Sequence, residues 1–373
     1  MFNDMKNVFR LAGNEFVLIF FVLLLLVLSV FFPSEWVNYP EFVDWKTIAA
    51  LTGLLIITTA VKESGYFELL SFRMLKKFDN ETSISVFLIL LSVVLATFLT
   101  NDIALFILIP LTVTVQKQVA NNISKLVIFE TVAVNVGSTF SPIGNPQNIF
   151  LWHKWNISFF KYIWEMLPLG FVLLTILLIF VLFVFPNKKL KTSGNDGENK
   201  NYAKPLFIVS IMILVFFISA IEVRSAEYAL PFVFFFYLSV YPKILRKVDW
   251  LLIILFIVIF IEFHLLANID FISKSIKSIN LENSGNVFLF SGLLSQILSN
   301  VPAAVVVSKF SDNWQAISYG VNVGGNGLII GSLANIIALR MLKNKKYLLD
   351  FHKYSIPYFI LTVIAVYLIK FLN

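Results

Sequence analysis

Two stretches of this chain read almost alike. Val134-Asn135-Val136-Gly137 is followed by Ile143-Gly144 and Asn148-Ile149, and Val321-Asn322-Val323-Gly324 is followed by Ile330-Gly331 and Asn335-Ile336. Every residue of the second set lies 187 positions after its counterpart, without a gap. A polar break in apolar sequence precedes each copy: Thr100-Asn101-Asp102 for the first and Ser299-Asn300-Val301-Pro302 for the second. Paired hydrophobic segments interrupted by Gly or Pro, one in each half of a membrane protein, are the sequence signature of a secondary transporter's binding site.

Composition agrees with a membrane setting. The 373 residues are 58% hydrophobic and 14% charged, with mean hydropathy +0.85. Several apolar runs reach the roughly 20 residues needed to cross about 30 Å of hydrocarbon. The absence of cysteine excludes disulfides, thiolate metal sites and cysteine nucleophiles. His153, His264 and His352 are scattered without metal-ligand spacing. The net charge of +7 could suggest nucleic acid, but the basic residues occupy short loops between apolar runs. That pattern is one of membrane topology, and no nucleic-acid partner is expected.

The sequence predicts crossings at about 15–32, 46–62, 124–152, 165–185, 205–222, 227–242, 249–267, 316–340 and 354–371. The first, from Glu15 to Phe32, exceeds a signal-peptide core and reads as an uncleaved span. Two further apolar stretches, 84–117 and 284–310, are broken near the middle and read as pairs of half-length helices that enter and return on one side. With both taken as re-entrant hairpins, Lys6, Arg10, Arg73, Lys76, Lys77, Lys117, Lys125, Lys188, Lys243, Arg246, Lys247, Arg340 and Lys343 fall on one face. The opposite loops carry mainly acids or isolated cations: Glu35, Glu41 and Asp44; Glu222, Arg224 and Glu227; Asp270, Lys274 and Lys277. The positive-inside rule then places the N-terminus in the cytoplasm of a multi-pass inner-membrane protein. The expected architecture is an all-α polytopic membrane protein built from two inverted-topology repeats, each with a re-entrant helical hairpin and a broken transmembrane helix. Residues 1–185 form the first repeat, 186–226 a cytoplasmic linker and connecting helix, and 227–373 the second repeat. The stretch 66–78 reads as an interfacial amphipathic helix.

Amide, hydroxyl and glycine residues at membrane depth are expensive unless they find partners or line a wet cavity. Between Asn135 and Asn148, Pro142 and Pro146 each remove a backbone donor, so a continuous helix is excluded. The freed carbonyls, with Gly137, Ser138, Thr139, Ser141, Gly144, Asn145 and Asn148, offer hard-oxygen ligands suited to Na⁺ and exposed N–H groups suited to an anion. The second copy breaks at Gly324, Gly325, Asn326 and Gly327 and continues to Ser332. Thr100, Asn101, Asp102, Ser299 and Asn300 sit at the hairpin tips. The competing reading makes each asparagine interhelical glue; the fixed offset and the paired breaks favour a site. Na⁺ ligation is expected at Asn101, Asp102, Asn135 and Asn145 on one side, and at Asn300, Asn322 and Asn326 on the other.

Intramembrane acids are functional candidates. Asp102 faces Val301 across the repeat, an asymmetry that suggests coupling on one side only, against a helix N-cap role. Glu130, about one and a half turns before Asn135, is a second proton-coupling candidate. Glu262 and His264 read as structural.

Thr100-Asn101-Asp102, Asn135 to Asn148, Ser299 to Ala304 and Gly320 to Gly325 resemble the ion transporter superfamily of citrate-type permeases, divalent anion:sodium symporters and arsenite efflux permeases. The resemblance spans both repeats. In the divalent anion:sodium symporters the tips carry Ser-Asn-Thr; here Asn101 and Asn300 carry over, while the following hydroxyl is replaced by Asp102 and Val301. The acidic tip is more similar to arsenite-type permeases, where proton coupling is implied. The resemblance also implies a homodimer and elevator motion of hairpins and broken helices past a fixed scaffold. The expected function is secondary active transport of a carboxylate or inorganic oxyanion coupled to Na⁺ or H⁺, with no other cofactor. The rival readings are an arsenite or antimonite efflux permease, or a Na⁺/H⁺ antiporter, using Asp102, and an ion channel on the same scaffold. No paired catalytic carboxylates or Ser-His constellation appears, so no catalytic residue is assigned and an enzyme is not expected.

Overall fold

The computed structural model describes residues 16–66, 69, 80–116, 123–185, 202–267, 269, 279–342 and 346–372. Every regular element among them is helical: an all-α polytopic membrane protein. Most of the 66–78 stretch, Lys6, Arg10 and most of the 186–204 linker lie outside the described residues.

Helices α1 (Phe16–Phe31) and α2 (Trp45–Glu63) open the chain, joined by short turns that fold back at 120°. The first hairpin is α3 (Glu81–Phe98) and α4 (Asn101–Gln116). The first broken segment is α5 (Ile123–Thr139) and α6 (Pro146–Lys154), and α7 (Phe159–Val184) closes the unit. Helix α8 (Lys204–Glu222) leads to α9 (Ala226–Val240) and α10 (Trp250–Ala267). The second hairpin is α11 (Ser284–Leu298) and α12 (Asn300–Val307). The second broken segment is α13 (Trp314–Gly324), a 3₁₀ turn Ile329–Gly331 and α14 (Leu333–Leu342), followed by α15 (Tyr347–Lys370).

Side-chain caps explain several starts. Asp44, Asn80, Asn145, Ser158, Asn283 and Asn313 each accept a backbone N–H in the first turn of the helix they precede. Pro146 occupies the first helical position of α6, where its missing N–H is no loss. Among the described residues five helices are long and apolar enough to span, or six with the bent first pair. One of them is α3, whose 18 residues make it longer than the half-length arm the sequence suggested.

Contacts between helix ends order the faces. Ala203 N–H donates to Ser64 O at 2.9 Å, and Lys247 pairs with Glu63, so the end of α2, the start of α8 and the loop after α9 share one face. Thr82 Oγ1 donates to Phe185 O at 3.2 Å, placing the base of the first hairpin at the end of α7. Phe159 N–H donates to Glu222 Oε2 at 2.7 Å, so α7 starts where α8 ends. Lys309 Nζ donates to Phe263 O at 3.0 Å, placing the base of the second hairpin at the end of α10.

Two packing groups emerge. Helices α8 and α9 lie on α2, and α10 lies on α1 and α2. In the other group, α3 and α4 lie on α5, α11 and α12 lie on α13, and α7 and α15 lie across α5. The groups meet where α2 touches α4 and α6 and where α10 touches α12. Within the first group α8 rests on a glycine: a Cβ on Gly53 would lie 2.1 Å from the Phe217 ring. Gly53→Ala should therefore lower stability by about 2 kcal/mol through overpacking. Thermal unfolding in detergent measures this, and Phe217→Leu in the same chain should restore much of the loss. Additive losses in the double variant would show that the two residues do not meet.

Candidate functional site

The two broken segments bond to each other. Asn135 Nδ2 donates to Asn335 Oδ1 at 2.9 Å, and Asn322 Nδ2 donates to Asn148 Oδ1 at 2.8 Å. Under the 187-residue offset these are the same bond made in both directions. The correspondence extends outward. Asn145 Nδ2 donates to Asn322 Oδ1 at 3.1 Å, and Ser332 Oγ donates to Asn135 Oδ1 at 3.1 Å. Asn148 Nδ2 reaches Ser138 O and Ser141 O, while Asn335 Nδ2 reaches Gly325 O and Leu328 O. Thr139 Oγ1 donates to Asn135 O, and Asn326 Nδ2 to Asn322 O.

The hairpins brace this crossing in matching ways. Thr97 Oγ1 donates to Gly137 O at 3.0 Å, and Gln296 Nε2 donates to Gly324 O at 2.7 Å. Both glycines are needed for close approach. A Cβ on Gly137 would lie 2.3 Å from Val93 O, and one on Gly324 would lie 2.6 Å from the Ser295 side chain. Gly144 is packed as tightly: a Cβ there would lie 2.5 Å from Ser138 O.

At the tips, Asn101 N–H donates to Gly144 O at 2.8 Å, and Asn101 Nδ2 donates to Asn135 Oδ1 at 3.2 Å. Asn300 Nδ2 lies beside Gly325, 3.3 Å from where a Cβ would sit, and Asn135 Nδ2 donates to Gly325 O. Ser299 precedes it at φ +79°, in the left-handed region that a non-glycine residue occupies only under strain. Four helices thus begin around one buried amide cluster: α4 at Asn101, α6 at Pro146, α12 at Asn300 and α14 at Leu333. The partial positive charge of four helix N-termini suits an anion.

Nearly all the residues singled out in the sequence gather here. Ser138 donates to Asn135 O, and Ser141 Oγ accepts from Ile143 N–H. Asp102 is buried in the first turn of α4, beyond the position a capping residue takes, and no hydrogen bond joins its carboxylate to the crossing. Its Oδ1 has no partner, and neither has Thr100 Oγ1 nor Asn326 Oδ1. Glu130 is placed elsewhere: it accepts a hydrogen bond from Thr112 of α4, while the adjacent Thr131 meets Tyr347 of α15 at 3.2 Å. Glu262 is buried on α10, and the His264 ring stacks on Phe42 at 3.7 Å. Among the described residues no group of three His, Asp or Glu could hold a metal ion. The 187-residue offset pairs Asn335 with Asn148 in the sequence, but Asn335 was not among the expected site residues; Gln296 and Thr97 were passed over and have no local signal.

A family model described as "Citrate transporter" matches residues 9–313. The chain belongs to the citrate transporter family. It is similar to Inner membrane protein YbiR of Escherichia coli, with 36% identity over 342 residues covering 91% of each chain. It is also 36% identical over 337 residues to Uncharacterized transporter MJ0456 of Methanocaldococcus jannaschii, covering 88% of this chain and 90% of that one. A more distant relative, a 46 kDa membrane protein of Mycobacterium leprae, is 21% identical over 362 residues. The protein is therefore a membrane transporter, and a small-molecule cargo follows from the family.

The crossing predicts a coupling pattern. Asn135→Ala with Asn335→Ala, and Asn322→Ala with Asn148→Ala, should each show about 1 kcal/mol of coupling in double-mutant cycles of thermal stability. Asn135→Ala with Asn148→Ala, which share no bond, should be closer to additive. Equal coupling in all three cycles would refute the reciprocal arrangement.

Proposed function

We propose that this citrate-transporter-family protein moves a small anion, a carboxylate or inorganic oxyanion, across the inner membrane by secondary active transport coupled to Na⁺ or H⁺. The observation that carries the reading is the convergence of four helix starts on a buried amide cluster assembled from both halves of the chain. Helix starts supply fixed dipoles and N–H donors that replace an anion's water without added lysine or arginine. The carbonyl and amide oxygens of Asn101, Asn135, Asn145, Asn300, Asn322 and Asn326 are of the hard type that a desolvated Na⁺ accepts.

The two halves are inverted repeats under this reading. Support comes from the reciprocal hydrogen bonds and from the hairpin bases, one at the end of α7 and the other at the end of α10. Helix α7 starts beside the end of α8 and α10 follows the loop that holds Glu63, so the two bases belong to opposite faces. The narrow junction of α2 and α10 with α4, α6 and α12 is the surface along which the hairpin group would travel as an elevator. The loop charges support a cytoplasmic N-terminus, and a homodimer is what the family resemblance implies.

A proton-coupled variant of the same transport has its own support. Asp102 is a buried carboxylate at the first tip with an unpartnered oxygen, and Val301 stands at the second. Protonation of Asp102 would discharge the loaded site where Na⁺ would otherwise balance it. An oxyanion or arsenite permease, or a Na⁺/H⁺ antiporter, would use that group in the same way.

Thermal unfolding in detergent, titrated with NaCl or KCl and with citrate, succinate, phosphate or arsenite, separates these readings. An anion at a hundred times its dissociation constant adds about 2.7 kcal/mol to the folded state. Na⁺-specific stabilisation enhanced by one anion, and abolished in Asn101→Ala and Asn300→Ala, is the expected result. Stabilisation independent of Na⁺, with a pH dependence lost in Asp102→Asn, would establish proton coupling. Single-channel currents in bilayers would overturn the carrier.

A further inference from the structure

The second break contains a backbone donor that the first lacks. Ile329 lies 187 residues after Pro142, which has no N–H. The Ile329 N–H is met by a side chain: His352 Nε2 accepts it at 3.1 Å. The other ring nitrogen, Nδ1, lies 2.8 Å from Leu348 O. A carbonyl only accepts, so Nδ1 carries the hydrogen, and Nε2 must then be the bare nitrogen of a neutral ring. The imidazole is held in one tautomer by two backbone partners, with the Phe351 ring edge-on at 5.6 Å.

An imidazolium has two donors and no acceptor. A proton on Nε2 would face the Ile329 N–H donor to donor, and the bond would be lost. The stretch it holds is the one that builds the second half-site. Leu328 N–H donates to Gln296 Oε1 at 2.7 Å, Leu328 O receives Asn335 Nδ2, and Ser332 Oγ reaches Asn135. The 3₁₀ turn Ile329–Gly331 packs on α11, α14 and α15. Helix α11 carries no charged residue, and α14 carries only Arg340. Glu130 and Lys125 lie on α5, with Glu130 engaged by Thr112. On α7, Glu165 is engaged by Gln315. On its own helix His352 has Tyr347, Asp350 and Lys353 as neighbours in sequence. The ring is only partly buried.

The geometry points to His352 as a positioning residue and pH switch: neutral, it orders the second break through the Ile329 amide, and protonated, it releases that break. The first half-site has no such control, because Pro142 leaves nothing to release. The bond needs the neutral ring, so protonation of Nε2 breaks it. Acid would then disorder one half-site and slow exchange of cargo, a consequence that rests on the transporter reading, although the switch itself does not.

Hydrogen–deuterium exchange of the detergent-solubilised protein tests the switch without a substrate. After correction for intrinsic rates, protection of the peptide 325–332 should fall about tenfold from pH 7.5 to pH 5.5. His352→Gln keeps an acceptor that does not titrate, and its profile should be flat. Ile329→Pro removes the donor as Pro142 does; Leu328 already has the extended backbone (φ −70°, ψ 158°) that a following proline requires. It too should be flat. A flat wild-type profile, or a fall of equal size in both variants, would overturn the proposal.

Discussion

Everything in this structure turns on an amide cluster that must satisfy itself away from water. An asparagine at membrane depth brings two donors and one acceptor, and leaving them unpaired would cost several kcal/mol. The chain solves this by crossing: the first asparagine of each broken segment bonds the last asparagine of the other. Neither segment could be satisfied alone, so the two halves of the protein are required to meet. The close glycines, Gly137 and Gly324, and the bracing side chains, Thr97 and Gln296, follow from that requirement.

The same crossing explains why the helix stops gather in one place. Helices can stop inside the membrane only where their freed ends find partners, and each stop leaves a helix start pointing inward. Four such starts around one cluster concentrate partial positive charge without any basic side chain. The departures from symmetry then become informative. Asp102 against Val301, and Pro142 against Ile329 with His352, are the places where two halves that share a scaffold carry different groups.

Much of the fold was legible. Hydropathy alone set most helices within a few residues of their bounds, because a helix in lipid must bond its own backbone along its whole length. The breaks were legible for the converse reason: proline, glycine and clustered amides cannot continue a helix. The extent of α3 was misjudged, since Thr100-Asn101-Asp102 marks where the hairpin turns and says nothing of how far each arm reaches. The Asp102 N-cap alternative also differs from the structure, which puts that residue one step inside the helix.

By itself the sequence determined the class of the protein, the place of each break and the 187-residue correspondence between them, because these are local properties of composition, periodicity and residue type. Only the tertiary structure decided the partners. Asn135 meets Asn335 across 200 residues, Glu130 turns to Thr112 rather than the cluster, and His352 is recruited from the closing helix to a single amide. Nothing local distinguishes a glutamine that braces a broken helix from one that faces solvent. That distinction is made by packing, where a donor stripped of water accepts whichever group the fold brings within reach.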